Sequence, residues 1–239
     1  MLRKFFSRSG IVALSGVIAL ATLFSSCKKD DVGVQTPVAG LMAFNLVPDQ
    51  PGVHVTLSGN LIPGSPLAYT SFTGTYINVY AGNRTIESYN AATSASLDSV
   101  PFTFEKDKYY SLFVVGANGN YKNIVSEDNF DSLTASSGKA YIRYVNAIPD
   151  SSGARVTATS NGANVINNSA SYGHVSDFVA VTPGQVSINV TNEGSVQANR
   201  TITVDQQKAY TVLLMGLPSQ TDESKKVQIR FIENGTVTD

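Results

Sequence analysis

Gln185-Val186-Ser187-Ile188-Asn189-Val190-Thr191 sets three β-branched apolar residues at every second position, with polar residues between them. A strand turns successive side chains to opposite faces, so this segment has one apolar face and one wet face. A helix would scatter the same residues around its circumference. The pattern recurs on both sides of it. Val227, Ile229 and Phe231 alternate with Gln228 and Arg230, Val53, Val55 and Leu57 alternate with His54 and Thr56, and Val100, Phe102 and Phe104 keep the spacing. Turn-forming pairs interrupt at short intervals: Pro48-Asp49, Pro63-Gly64, Gly82-Asn83, Asn118-Gly119, Asn161-Gly162, Pro183-Gly184 and Asn234-Gly235. Period two with one polar face predicts an all-β chain whose sheets are covered on one side only, as in an antiparallel sandwich.

The chain also repeats itself. A shift of 101 lays Asn45-Leu46-Val47-Pro48-Asp49 on Asn146-Ala147-Ile148-Pro149-Asp150, then Gly52 on Gly153, Val55 on Val156 and Thr56 on Thr157, six identities in 12 places. A shift of 100 lays Lys108, Tyr110 and Gly116 on Lys208, Tyr210 and Gly216. The drift of one residue is what a loop insertion produces. The repeat predicts two related domains, residues 39–132 and 138–239, joined by residues 133–137. Each is expected to be a β-sandwich of about seven strands, immunoglobulin-like or transthyretin-like.

Ala140-Tyr141-Ile142-Arg143-Tyr144-Val145-Asn146-Ala147-Ile148-Pro149-Asp150 resembles the opening "vRvvHaSPDAP" of the bacterial domain of unknown function 4397. Residues 172–184, from Tyr172-Gly173-His174 to Thr182-Pro183-Gly184, are similar to its "Y-g-x-v-s-x-y-x-x-v-x-x-G" segment, and Lys208-Ala209-Tyr210-Thr211-Val212 to its "G-x-x-Y-T-v" strand. The resemblance covers most of residues 138–217 and, more faintly, the first copy. Asn146 and Ile148 stand where that family often has His and Ser, as do Asn45 and Val47 in the first copy. The resemblance implies a fold and an extracellular setting, and no activity.

Ahead of the repeats, Arg3, Lys4 and Arg8 precede an apolar run from Ile11 to Phe24. Its 14 residues at ~1.5 Å each reach roughly 20 Å, short of the ~30 Å hydrocarbon core of a membrane, so it reads as a secretory signal over residues 1–26. Ser25-Ser26-Cys27 then resembles the lipobox of bacterial lipoproteins, with Phe24 where that pattern prefers Leu and Leu23 one place further back. The resemblance implies that Cys27 becomes the acylated first residue, with residues 27–38 as a tether holding the protein to the membrane. Lys28, Lys29, Asp30 and Asp31 look like the export signal of Bacteroidetes surface lipoproteins, which implies an outer-membrane location facing the cell exterior. Residues 1–26 carry three of the 17 basic residues and none of the 18 acidic ones, so the remainder has a net charge of −4.

Composition narrows the chemistry. A formal net charge of −1 gives no electrostatic footprint for nucleic acid, and one Cys cannot form an internal disulfide or a thiolate metal cluster. No cofactor or metal motif is present. His54 occupies the outward phase of its strand, and its counterpart in the other copy is Arg155. His174 has Ser176 and Asp177 close by in sequence, but catalytic triads converge from separate elements. Glu127, Asp128, Asn129 and Asp131 form an oxygen-rich loop of the kind that can hold Ca²⁺. Asp49 and Asp150 read as turn formers whose carboxylates accept nearby backbone N–H groups. Asp98-Ser99-Val100 and Asp131-Ser132-Leu133 resemble an O-glycosylation sequon of exported Bacteroidetes proteins, with Ser99 just before a strand and Ser132 between the domains.

Aromatic residues are the remaining route to recognition: 11 Tyr, 11 Phe and no Trp. Tyr69, Tyr76, Tyr80, Tyr89, Tyr109, Tyr121 and Tyr172 are candidates for a stacking face, although sandwich cores account for most such Tyr. The expected protein is a non-enzymatic, surface-anchored lipoprotein that binds an envelope protein or a glycan, as an adhesion, binding or scaffold module. A glycan-binding module for polysaccharide capture is the first alternative, and a hydrolase using His174 the second.

Overall fold

A computed structural model describes residues 36–192, 194–218 and 220–238. Cys27, Lys28, Lys29, Asp30, Asp31 and the apolar run before them lie outside the described residues. Among the described residues no helix is long and apolar enough to cross a membrane.

The first repeat contains β1 (Val38–Asn45), β2 (Gly52–Leu57), β3 (Asn60–Ala68), β4 (Ile77–Tyr80), β5 (Gly82–Asn90), β6 (Ser96–Phe104), β7 (Tyr109–Ala117) and β8 (Asn120–Glu127). The second contains β9 (Ala140–Asn146), β10 (Arg155–Ser160), β11 (Ala163–Ser169), β12 (Val179–Val181), β13 (Gly184–Thr191), β14 (Gln197–Val204), β15 (Lys208–Met215) and β16 (Gln228–Thr236). Each repeat therefore has eight strands, because the edge strands β4 and β12 carry too few alternating residues to register as a pattern. They form two four-stranded sheets per repeat, ordered β4-β1-β7-β8 and β3-β2-β5-β6, then β12-β9-β15-β16 and β11-β10-β13-β14.

Pairing is antiparallel except for β1 with β7 and β9 with β15, which run parallel from Gly40↔Tyr109 to Asn45↔Val114 and from Ala209↔Tyr141 to Leu214↔Asn146. The chain leaves the first sheet after β1 for β2 and β3, returns to it for the edge strand β4, leaves again for β5 and β6, and comes back with β7 beside β1 in the same direction. The alternating strands behave as their sequence dictates: Val53, Val55 and Leu57 are buried against Leu41, Leu112 and Val114 in the first core, and Val186, Ile188 and Val190 against Ile142, Tyr144 and Leu214 in the second.

The expectation of sheets covered on one side holds only for the two outer sheets. Met42, Phe44, Phe113 and Val115, from the far side of β1 and β7, pack against Val145, Leu213 and Met215 from the far side of β9 and β15. The inner sheets thus lie face to face, and their central strands are buried on both faces. The physical reason stands in the sequence: Leu112-Phe113-Val114-Val115 and Val212-Leu213-Leu214-Met215 are continuous apolar runs, the mark of strands covered on both sides. Phe44 stacks between Phe72 and Phe113, with ring centres 5.3 and 4.9 Å away. Residues Phe130–Ser132 and Ala135–Ser137 form single 3-10 turns, and Leu133 and Ala135 pack with Tyr141, Ala209 and Val237.

The repeated residues have matching tasks. Asn45 is fully buried; its Nδ2 donates to the carbonyls of Gln50 (3.2 Å) and Leu67 (3.0 Å) while its Oδ1 accepts the N–H of Val47 (3.0 Å). Asn146 does the same with Ser151 Oγ (2.8 Å), the Ala170 carbonyl (2.7 Å) and the N–H of Ile148 (3.1 Å). Each Asn satisfies the backbone of the turn that follows the first strand of its copy. Gly116 and Gly216 have φ of +127° and +104°, and a Cβ on either would stand 2.1 Å from a carbonyl oxygen, that of Asn120 or Lys226. Only glycine fits there.

Candidate binding cleft

The middle of the seam between the inner sheets is polar. Arg143 occupies the place on β9 that Met42 occupies on β1, and it is 1% exposed. Its Nη2 lies 2.5 Å from Asp128 Oδ1 and donates to Ser111 Oγ at 2.9 Å, while its Nε donates to Thr211 Oγ1 at 2.9 Å. The guanidinium sits 4.6 Å from the ring centre of Phe178. Ser111 Oγ donates to Asp128 Oδ2 (2.7 Å), and its counterpart Thr211 donates to Asn234 Oδ1 (2.6 Å). A bulge in β16 makes this correspondence possible. Tyr210 faces Glu233 and Ala209 faces Gly235, so Asn234 is skipped and its side chain is re-aimed into the seam.

The two repeats therefore present the same layout, with a single cation and a single carboxylate shared between them. Tyr76 ties this network to the surface: its hydroxyl donates to Asp128 Oδ2 and accepts from Asn234 Nδ2 at 3.1 Å. Burial, and then the Asp128 charge, hold the Tyr76 phenol above its ordinary range, so it remains a donor.

Below Tyr76 the seam opens into a cleft of about 640 Å³, lined by Tyr76, Tyr109, Phe130, Asp131, Leu133, Asn234, Thr236 and Val237. Three aromatic rings meet edge to face: Tyr76 and Tyr109 at 5.0 Å and 72°, Tyr109 and Phe130 at 5.6 Å and 65°, Tyr76 and Phe130 at 5.9 Å and 89°. Tyr109 is 45% exposed. Its Cδ1–Cε1 edge rests over Gly40, where a Cβ would stand 2.6 Å from Cδ1. Gly40 has an ordinary negative φ, so glycine is required there for space and not for backbone conformation.

The cations around the cleft are engaged. Lys108 pairs with Asp131 (2.7 Å) and Glu127 (3.7 Å), and Lys208 pairs with Glu233 (2.6 Å) and donates to Thr236 Oγ1 (2.8 Å). The cleft lies at the end of the body where the chain joins β1, since the Gly40 N–H donates to the Lys108 carbonyl beside Tyr109.

Among the Tyr candidates only Tyr76 and Tyr109 line this cleft. Tyr80 is 63% exposed on the edge strand β4, Tyr121 donates to Asp49 and accepts from Gln50, and Tyr89 lies on β5 in the outer sheet. Tyr69 and Tyr172 flank the seam, and burial pushes each phenol up to about 12. His54 is half-buried, with Nδ1 shielded from solvent and without a partner.

His174 is exposed in a turn and not on a strand; its carbonyl accepts the Asn146 N–H and its ring centre lies 5.7 Å from that of Tyr144. The acidic loop is spent on cations: Glu127 and Asp131 face Lys108, and Asp128 faces Arg143. Among the described residues no three His, Cys, Asp or Glu come together as a metal site would need. Asp49 accepts from the distant Asn118 N–H at 2.7 Å, a bond between turns and not within one. Ser99 lies inside β6 and not before it, with an exposed side chain, because the β5 pairing extends back to Ser96. Ser132 is exposed and donates to the Asn129 carbonyl at 2.7 Å.

Sequence reasoning missed Arg143, Phe130 and Gly40, and it read Asp128 as part of a calcium-type loop and not as the buried partner of Arg143. The available signal was Arg143 itself, a charge in the otherwise uncharged strand Ala140–Asn146.

The family model described as "Domain of unknown function (DUF4397)" matches residues 39–154 and again residues 140–237. No curated protein matches the chain. Among solved structures the chain is similar to a family 26 carbohydrate-binding module from Eubacterium rectale Amy13K in complex with maltoheptaose, at 13% identity over 84% of this chain and 98% of that one, with a TM-score of 0.25. It is similar to the tip fimbrial protein Mfa3 of Porphyromonas gingivalis at 8% identity over 83% and 99%, with a TM-score of 0.29. It is also similar to a putative cell adhesion protein of Bacteroides uniformis at 8% identity over 84% and 99%, with a TM-score of 0.25.

Proposed function

The chain belongs to the DUF4397 family, and from that premise we propose that it is a non-catalytic binding module held at the cell envelope, with the aromatic cleft at the base of the seam as its contact site. The observation that carries this reading is the cleft itself. Tyr76, Tyr109 and Phe130 converge from three separate segments on a concave site of small-ligand size, and a buried polar network holds Tyr76 in place.

Anchoring is the second part of the proposal. It rests on the signal-like run before Cys27 and on the small residues Ser25 and Ser26. Acyl chains at Cys27 would hold the protein to the outer membrane, Lys28 to Asp31 would direct it outward, and Ser99 and Ser132 are proposed sugar acceptors. A tether of residues 27–38 reaches at most about 40 Å when fully extended.

The test is retention of fractionated host envelope on the immobilised full-length protein. Wild type retains material that Tyr109→Ala releases. Equal retention by both proteins removes the cleft from the function.

A further inference from the structure

We infer that the cleft holds a sugar ring of an uncharged glycan against Tyr109. This rests on the cleft being the contact site, and it adds the chemical class of the ligand.

Three features of the cleft select that class. The first is a pre-arranged aromatic surface. Tyr109 keeps nearly half of its side chain open, while its other contacts fix it: one edge lies on Gly40, and Tyr76 and Phe130 meet it edge to face. A ring with two side-chain torsions already restrained loses little entropy when a ligand settles on it. Its electron-rich face suits the slightly positive C–H groups that a pyranose exposes on one side.

The second feature is a rim that both donates and accepts. The Asp131 side chain is 81% exposed and one of its oxygens receives Lys108, so the carboxylate has further lone pairs to offer. Thr236 Oγ1 accepts from Lys208, which leaves its own O–H as a donor. Sugar hydroxyls do both, and they match such a mixed rim.

The third feature is charge. Lys108 and Lys208, the cations beside the cleft, are already paired with Asp131, Glu127 and Glu233. A carboxylate, sulfate or phosphate on the ligand would have to break an existing ion pair beside another acidic group. An uncharged glycan meets no such cost.

The experiment uses the full chain in detergent on arrayed oligosaccharides of glucose, galactose, mannose and N-acetylglucosamine, with sialylated and sulfated counterparts alongside. Binding is expected to one or more neutral glycans and to be indifferent to a tenfold rise in salt. Tyr109→Ala is expected to weaken it by about tenfold or more, and Tyr109→Phe to stay within about threefold, since the stacking ring is kept. If Tyr109→Ala does not fold, Gly40→Ala carries the same test. It lifts the ring from its seat without removing it, and weakened binding is again the expected result.

Binding restricted to charged glycans and abolished by salt overturns the inference, as does neutral-glycan binding that survives Tyr109→Ala. If no glycan binds while the envelope material retained through Tyr109 proves to be protein, the sugar inference falls and the cleft stands. If no glycan binds and Tyr109→Ala changes nothing in the envelope assay, both fall.

Discussion

Replacing Arg143 by Met, the residue that the first repeat carries at the matching place, tests the seam. The wild-type guanidinium is held by Asp128, Ser111 and Thr211. Without it the Asp128 carboxylate, whose side chain is 0% exposed, keeps only the hydroxyls of Ser111 and Tyr76. Breaking a buried pair on one side costs about 3–5 kcal/mol, a large share of the roughly 5–15 kcal/mol that stabilises an ordinary folded chain. With a urea m-value of about 2–3 kcal/mol/M, the unfolding midpoint should fall by about 1–2.5 M.

The double variant Arg143→Met with Asp128→Asn removes both charges and gives each repeat what the other already has, since Asn234 matches Asp128. It should lie within about 2 kcal/mol of wild type, because a pair removed together leaves no buried charge. Urea melts followed by circular dichroism on all four proteins give the coupling. If Arg143→Met costs less than about 1 kcal/mol, or if the two single losses simply add, the ion pair does not seal the seam and the reasoning is wrong.

Other outcomes follow from the same structure. Gly116→Ala and Gly216→Ala each force a side chain into a left-handed backbone against a carbonyl 2.1 Å away; strain alone is worth about 1–3 kcal/mol, and each melting temperature should drop by several degrees. Tyr69 and Tyr172 hold their protons to about 12 when folded, against 10.0 when free. Their contribution is therefore complete below pH 10 and is lost as the pH rises towards 12, so stability should fall across that window and fall less in Tyr69→Phe and Tyr172→Phe. At neutral pH the same two variants should be neutral or stabilising in thermal melts, because each removes a buried hydroxyl without a partner. Cys27→Ala should abolish fatty-acid labelling and release the protein from membranes; a variant that stays membrane-bound, with no label on wild type, would remove the anchor from the account.

The alternation around Val186 and Val55 made the outer sheets legible, because a strand wet on one face must write its period into the sequence. Gly116 and Gly216 were legible as a repeat, and the structure supplies the clash that explains it. The inner sheets were harder to read. Strands buried on both faces lose the period, so Met42 and Phe44 give no sign of which neighbour covers them. Arg143 lies 15 places from Asp128, 32 from Ser111 and 68 from Thr211, so only folding brings these groups together, and a lone Arg in a strand is ordinarily a solvent-facing residue. The aromatic residues of the cleft come from the residue before β4 (Tyr76), the start of β7 (Tyr109) and the turn at Phe130, with the last strand adding polar lining, so they are never neighbours in the chain. Gly40 carries no turn signal, since what it provides is room for Tyr109.

The most direct measurement places a photoreactive phenylalanine analogue at position 109, or at position 80 as the exposed control, in the full-length protein on intact host cells. Irradiation should give a covalent adduct with an envelope molecule from position 109 and none from position 80. Adducts from position 80 alone, or from both positions equally, would contradict the cleft as the site through which this protein binds.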